Sequence, residues 1–347
     1  MTVPASVLRS IEATLAERTG LTRGFHRADP VGGGCINPSA RLETESGESF
    51  FLKWNPSAHA QMFIAEADGL TALRAGALAA EGEGGLRIPE VLGTGGSGTM
   101  SDPGWLLMEW IPQGSRTSDY GQRLGAGLAA LHASACQPSR GRTESCQPDQ
   151  RDVGRAPPAD THSPPAPAGT RKAPFGWHRD NFIGSLPQWN GPMEVWSHFW
   201  RDRRLEPQLR MARNKGYLDG AQGRILDELL TRIDEVMEGA GDTGPALLHG
   251  DLWSGNYFAG PEGEPVLIDP AVYRGAGEVD LAMMELFGSL PKGFLEAYQA
   301  VRPLDPEYNG CRRDLYQLFY LLVHVNLFGG SYVGGSIAAA TRILRAV

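Results

Sequence analysis

Lysine is scarce in this chain. Only Lys53, Lys172, Lys215 and Lys292 occur among 347 residues, so each can be weighed singly. Positive charge is in deficit overall: the formal net charge is -8. That balance excludes a nucleic-acid-binding surface as the main task, while leaving room for a local basic cluster at a phosphate. Four cysteines, Cys35, Cys136, Cys146 and Cys311, are scattered without pairing logic, which excludes a disulfide scaffold and fits a reducing cytoplasm. No apolar run approaches the roughly 18–20 residues that a membrane span requires. The first twenty residues lack the apolar stretch of an export signal and read as an amphipathic helix. What remains is an ordinary globular composition, 41% hydrophobic and 21% charged, sufficient for one large or two moderate domains.

Residues 5–19 read as a helix. A glycine cluster, VGGGCIN (Val31–Asn37), lies between stretches of short-strand character. ARLETESGESFFLKWN reads as a hairpin turning at Ser46–Gly47. In MFIAEADGLTALRAGA, Phe63, Ala67, Leu70 and Leu73 recur at helical spacing. RIPEVLGTG and GWLLMEWI are two further strands. The pattern predicts an α+β chain: a small β-rich N-terminal lobe over residues 1–111 and a larger, mostly helical C-terminal lobe over 112–347. Residues 137–173 are rich in Pro, Ser, Arg, Asp and Gly and nearly devoid of large apolar side chains, so a disordered insertion is expected there. It carries a faint echo, CQPSRGR and CQPDQR. The spacing of His132, Cys136, Cys146 and His162 matches no usual zinc pattern.

The chemistry concentrates in LLHGDLWSGN (Leu247–Asn256) and PVLIDP (Pro265–Pro270). Asp251, in a tight loop opened by Gly250, has the place of a base that accepts a hydroxyl proton. Asn256 and Asp269 offer hard oxygens of the kind Mg²⁺ prefers, with phosphate and water completing its octahedron. Such a layout is that of kinase-type phosphoryl transfer. The machine also needs a strand lysine for the α/β-phosphates and a helical glutamate to orient it. Lys53 ends a predicted strand, and Glu66 follows thirteen residues later on the next helix. Gly32, Gly33 and Gly34 precede the lysine strand, where backbone amides can approach phosphates without a clashing Cβ. Backbone groups around Glu109–Ile111, where LLMEWI enters the hinge, are expected to pair with adenine.

Together GGGCIN, MFIAEADGL, FGWHRDNFIGSLPQWN, LLHGDLWSGN, LIDPAVYRGAGEVDLAMMELFG and LYQLFYLLVHVNLFGGSY resemble the fructosamine kinase (ketosamine-3-kinase) family, of the aminoglycoside-phosphotransferase-like branch of the protein-kinase-like fold. The resemblance covers nearly the whole chain except 137–173. It implies an ATP- and Mg²⁺-dependent kinase that phosphorylates the sugar 3-hydroxyl of ketosamines, whose phosphorylated adducts fall apart and so deglycate the amine. It further implies Asp251 as base, Asn256 and Asp269 as Mg²⁺ ligands, and Lys53 with Glu66 as the phosphate clamp. Gly250 stands where protein kinases carry the arginine that reads activation-loop phosphorylation. Little chain separates Asp269 from the helix expected near Glu278, so activity without phosphorylation is expected.

Several residues carry secondary expectations. Trp253 is a candidate to stack on the sugar and Glu278 to contact substrate hydroxyls. Asp280 suits both a helix N-terminus and a hydrogen bond to the catalytic loop. His249 reads as structural, His324 as a satisfied core histidine, and Trp196, Phe199 and Trp200 as core. Cys35, among phosphate-cradling amides, is a candidate redox switch whose oxidation would block ATP binding or link two protomers, so a monomer or a redox-linked dimer is expected. Two alternatives stay open. A kinase for a cationic small molecule of the aminoglycoside or choline type would need an acidic or aromatic-caged pocket. A non-catalytic nucleotide-binding scaffold would tolerate loss of at least one of the five polar residues, and all are present.

Overall fold

A computed structural model describes residues 2–19, 24–32, 37–56, 60–80, 85–134 and 174–347. The expected insertion at 137–173 lies outside them, as do Cys136, Cys146 and His162. Among the described residues, five strands form one antiparallel sheet in the order β1-β2-β3-β5-β4: β1 (Phe25–Pro30), β2 (Ser39–Thr44), β3 (Ser49–Asn55), β4 (Val91–Gly95) and β5 (Gly104–Glu109). The predicted hairpin is β2–β3. Side chains alternate across β5, as the period of two requires. Trp105 and Leu107 pack with Leu42, Leu52 and Trp54 against Val7, Ile11 and Leu15 of helix α1 (Ala5–Thr19), residues that recur every four positions. Leu106 and Met108 face the other way, toward Phe63, Leu70 and Leu73 of α2 (Ala60–Ala79) and the main core.

The rest is mostly helical. α3 (Tyr120–Ser134) is followed by a short hairpin of β6 (Asn181–Ile183) and β7 (Leu186–Gln188), whose brevity hid it from the strand pattern. α4 (Trp196–Phe199) runs through a π-helical turn (Trp200–Leu205) into α5 (Glu206–Asn214), followed by α6 (Gly220–Thr231) and α7 (Ile233–Val236). Then come β8 (Ala246–Leu248), β9 (Tyr257–Ala259), β10 (Pro265–Leu267) and β11 (Tyr273–Gly275), and finally α8 (Glu278–Leu286), α9 (Phe294–Val301), α10 (Arg312–Phe328) and α11 (Val333–Ala346). Trp196, Phe199 and Trp200 are buried in the core as expected.

Several contacts tie the N-terminal part to the helical part, among them those of Arg87 and α2. Arg87 pairs by backbone with Pro265 and Leu267 of β10, and its guanidinium joins Glu109 (2.6 Å) to Glu264 (2.9 Å). α2 docks closely through glycine. A Cβ on Gly69 would meet Val272 Cγ2 at 2.9 Å, and one on Gly76 would meet Leu131 Cδ1 at 2.7 Å. The indole N–H of Trp177 donates to Asp68 on the same helix (2.7 Å). Hence α2 cannot rotate freely against the larger part. Gly76→Val inserts volume where none exists and is expected to lower the unfolding free energy by about 1–3 kcal/mol, read by denaturant titration. An unchanged midpoint would contradict this docking.

Candidate active site

Two loops carry the acids. One joins β8 to β9 and holds His249, Gly250, Asp251 and Asn256; the other joins β10 to β11 and holds Asp269. Because β8 pairs with β11 and β9 with β10, both antiparallel, the loops emerge side by side. Backbone bonds lock them together: Ala271 N–H to His249 O (2.8 Å) and Ile268 N–H to Asn256 O (3.0 Å). Gly250 has φ +80°, and a Cβ there would stand 2.1 Å from Ala271 O. Only glycine fits, which is the physical reason no arginine stands at this position.

A fully buried carboxylate underlies the loop. Asp280, on the first turn of α8, accepts the N–H groups of His249 and Gly250 (both 2.8 Å) and lies 3.2 Å from His132 Nε2. Both roles expected for it are realised. His132 Nδ1 in turn meets Tyr298 Oη at 2.9 Å. His249 is structural as expected. Nε2–H donates to Ile268 O (2.8 Å), so Nδ1 is left to accept the Asp251 N–H (3.3 Å). Burial holds its pKa below the ordinary value, consistent with a neutral ring. The Tyr320 hydroxyl caps Gly250 O at 2.8 Å. No sequence pattern pointed to His132 or Tyr320 in these positions; their partners are more than sixty residues away.

Lys53, Glu66, Asp251, Asn256 and Asp269 line one cleft of about 850 Å³. Lys53 Nζ lies 2.6 Å from both Glu66 Oε1 and Asp269 Oδ1. Burial acts to lower the lysine pKa, but the charges of Asp269 and Glu66 outweigh it and raise it above the ordinary value. The ammonium is therefore charged at any working pH. Asp269 has φ +57°, and among the described residues no other non-glycine has positive φ. Such a conformation costs of order 1 kcal/mol and persists because the two loops and Lys53 over-determine it. Asn256 Nδ2 donates to Asp251 O (2.8 Å) and Oδ2 (3.3 Å), which leaves Asn256 Oδ1 as an oxygen ligand. No cluster of three or more His, Cys, Asp or Glu suited to a metal occurs among the described residues. The oxygens of Asn256 and Asp269 fit instead an ion that draws its remaining ligands from phosphate and water.

Gly32, Glu109, Ile111 and Trp253 also line the cleft. The N–H of Glu109 is taken by Glu90 O (2.8 Å). Gly33, Gly34 and Cys35 lie outside the described residues. Glu278 does not join the site: its carboxylate holds Arg312 by two bonds of 2.8 and 3.0 Å. The expected substrate contact is thereby corrected, since both Glu278 oxygens are engaged by the buried Arg312 guanidinium, which Asp305 also approaches at 3.3 Å. His324 is corrected in the opposite sense. It is half-buried and lines the cleft. α8 begins nine residues after Asp269, and β11 occupies part of that interval, so no long activation segment intervenes. The Phe175–Asn190 segment packs on the stretch after Asp269, where its Asn181 and Gln188 amides donate to Val272 O (2.8 Å) and Ala271 O (3.2 Å).

Burial, reinforced by the charge of Asp269, raises the Asp251 pKa from 3.8 to about 7, against an opposing bond from Asn256. Between those pH values the folded chain keeps a proton that the unfolded chain has released. Stability from this group is therefore present near pH 4, falls as pH rises toward 7, and stays low above it. Solvent at the cleft mouth screens the effect to on the order of 2 kcal/mol. Asp251→Asn removes it, so the variant is expected to unfold later than the wild type at pH 8 and no later at pH 4. Equal unfolding midpoints at pH 8 would contradict a strained carboxylate.

A model of the fructosamine kinase family matches residues 7–145 and 153–346. The chain is 35% identical over 326 residues to a probable ketoamine kinase of Synechocystis sp., covering 93% of this chain and 92% of that protein. It is 34% identical to the chloroplastic protein-ribulosamine 3-kinase of Arabidopsis thaliana, over 91% of this chain and 82% of that one. Among solved structures, a candidate fructosamine-3-kinase from Thermobifida fusca superimposes with a TM-score of 0.73 at 31% identity, covering 97% and 99% of the two chains. An aminoglycoside phosphotransferase, APH(4)-Ia, shares the fold at 14% identity (TM-score 0.56; 97% and 100% covered). With its bilobal protein-kinase-like architecture and its paired loops, the chain belongs to the fructosamine kinase family.

Proposed function

We propose that this chain is an ATP-dependent ketosamine 3-kinase that transfers the γ-phosphoryl group to the sugar 3-hydroxyl of ribulosamine- and fructosamine-type adducts, free or on lysine. The observation that carries this reading is the convergence of Lys53, Glu66, Asp251, Asn256 and Asp269 on one cleft, in a member of this family. The two lobes divide at Ile111, just after β5 ends, and adenine pairs with backbone groups between Glu109 and Ile111.

In this reading Lys53 clamps the α/β-phosphates and Glu66 fixes the ammonium. Asn256 Oδ1 and the carboxylate of Asp269 hold Mg²⁺, which when bound neutralises phosphate charge. Asp251 takes the proton from the attacking hydroxyl, and its raised pKa makes it a stronger base than a free aspartate. Trp253, half-buried on the cleft wall, packs on the sugar. Phosphate on C3, next to the C2 carbonyl, becomes a leaving group once C1 and C2 enolise. Its elimination gives an imine, and hydrolysis of that imine frees the amine.

The decisive assay supplies Mg-ATP with ribulosyl-lysine, fructosyl-lysine, choline or kanamycin and measures ADP release. Release with the ketosamines above the choline and kanamycin background is expected; the reverse order would overturn the proposal. Asp251→Asn is expected to lower kcat by about 10²–10⁴-fold. Phosphatase treatment should leave the rate unchanged, because no long activation segment waits to be ordered.

A further inference from the structure

The cleft continues beyond the catalytic loop along α10. Tyr320, whose hydroxyl caps Gly250, is followed on the same helix face by His324 and Phe328. At about 1.5 Å per residue these lie roughly 6 and 12 Å farther along the axis. Phe287 and Tyr332 complete a ring of aromatic groups about His324, with centroids 4.7 Å (Phe287), 5.4 Å (Phe328) and 5.0 Å (Tyr332) from the imidazole. All four line the cleft. Phe287 is 41% and Phe328 55% exposed, and phosphoryl transfer itself has no use for either. Exposed apolar surface contiguous with a reactive centre marks a place where a ligand is held.

The orientation of His324 adds a polar group at the middle of this wall. A carbonyl can only accept, so the 2.8 Å contact to Tyr320 O places the proton on Nδ1. Nε2 then carries a lone pair and has no protein partner among the described residues. Burial lowers the pKa of the ring, consistent with a neutral imidazole. A lone pair amid aromatic faces suits a cation that also bears an N–H: the lone pair accepts the hydrogen bond and the ring faces attract the charge.

A ketosamine carries such a group close to its acceptor hydroxyl. Its acceptor hydroxyl is on C3 and its secondary amine, protonated near neutral pH, is on C1. Bonds of about 1.5 Å place the nitrogen roughly 4 Å from the reacting carbon. We propose that His324, Phe287, Phe328 and Tyr332 form the subsite for the amine end of the substrate. His324 Nε2 accepts a hydrogen bond from the ammonium, and the rings enclose the charge and the first methylenes of the amine's carrier. The inference rests on the ketosamine kinase reading and deepens it: the enzyme selects for the nitrogen as well as for the sugar.

Two substrates test this, ribulose carrying butylamine at C1 and its isostere carrying butoxide oxygen at C1. The wild type is expected to favour the amine in kcat/KM by on the order of 100-fold. His324→Leu should lose about 10- to 100-fold on the amine and about threefold or less on the ether, the loss appearing mainly in KM. His324→Gln, which keeps an acceptor, should recover part of it. Phe328→Ala, at an exposed ring whose loss opens no core cavity, should weaken the amine more than the ether. Equal losses on both substrates, or a wild type indifferent to the bridging atom, would overturn the subsite. Failure of the underlying kinase reading looks different, because the wild type would then phosphorylate neither compound, and the subsite would fall with it.

Discussion

The ammonium of Lys53 is where three separate elements meet: β3, which carries it, α2, which carries Glu66, and the loop after β10, which carries Asp269. A buried cation must be paired, and here two carboxylates from different elements share one ammonium. The position of α2 and the conformation of the Asp269 loop therefore enforce each other. Protein kinases that depend on activation-loop phosphorylation must bring a comparable helix into place. Here Gly69 and Gly76 seat α2 directly on the larger lobe, and the Trp177–Asp68 bond fastens it. The Lys53–Glu66 pair is held in place by that packing.

The large lobe supports the paired loops from beneath. Asp280 is wholly buried yet satisfied by two backbone N–H groups and an imidazole, so it costs little and fixes the catalytic loop. Strain is concentrated above it. Asp269 has positive φ, Gly250 admits no side chain, and Asp251 is held where its charge is disfavoured. Those three features lie within one pair of cross-linked loops. The aromatic core around Trp196, Phe199 and Trp200 is buried beside them.

Local patterns were the readable part of this chain. The β2–β3 hairpin, α1 and α2 follow from periodicity, and the spacing of Asp251, Asn256 and Asp269 encodes two adjacent loops. The scarcity of lysine singled out Lys53. Interactions between residues distant in the chain were opaque. Nothing near Asp280 announces His132, 148 residues earlier. Glu278 looked available because Arg312, which captures it, lies 34 residues on. His324 looked like core because its neighbours on α10 are apolar on every side, yet that helix forms a wall of the cleft. The amphipathic rule fails where a helix faces a binding site, since the site is itself partly apolar.

The most direct measurement is a crystal structure of the protein with Mg²⁺ and a non-hydrolysable ATP analogue. The proposed roles predict an ion bound by Asn256 Oδ1 and an Asp269 oxygen. Lys53 would touch the α- and β-phosphates, and the Asp251 carboxylate would stay off the metal, facing the acceptor side of the γ-phosphate. A nucleotide seated away from Lys53, or a metal ligated by Asp251 in place of Asn256, would contradict it.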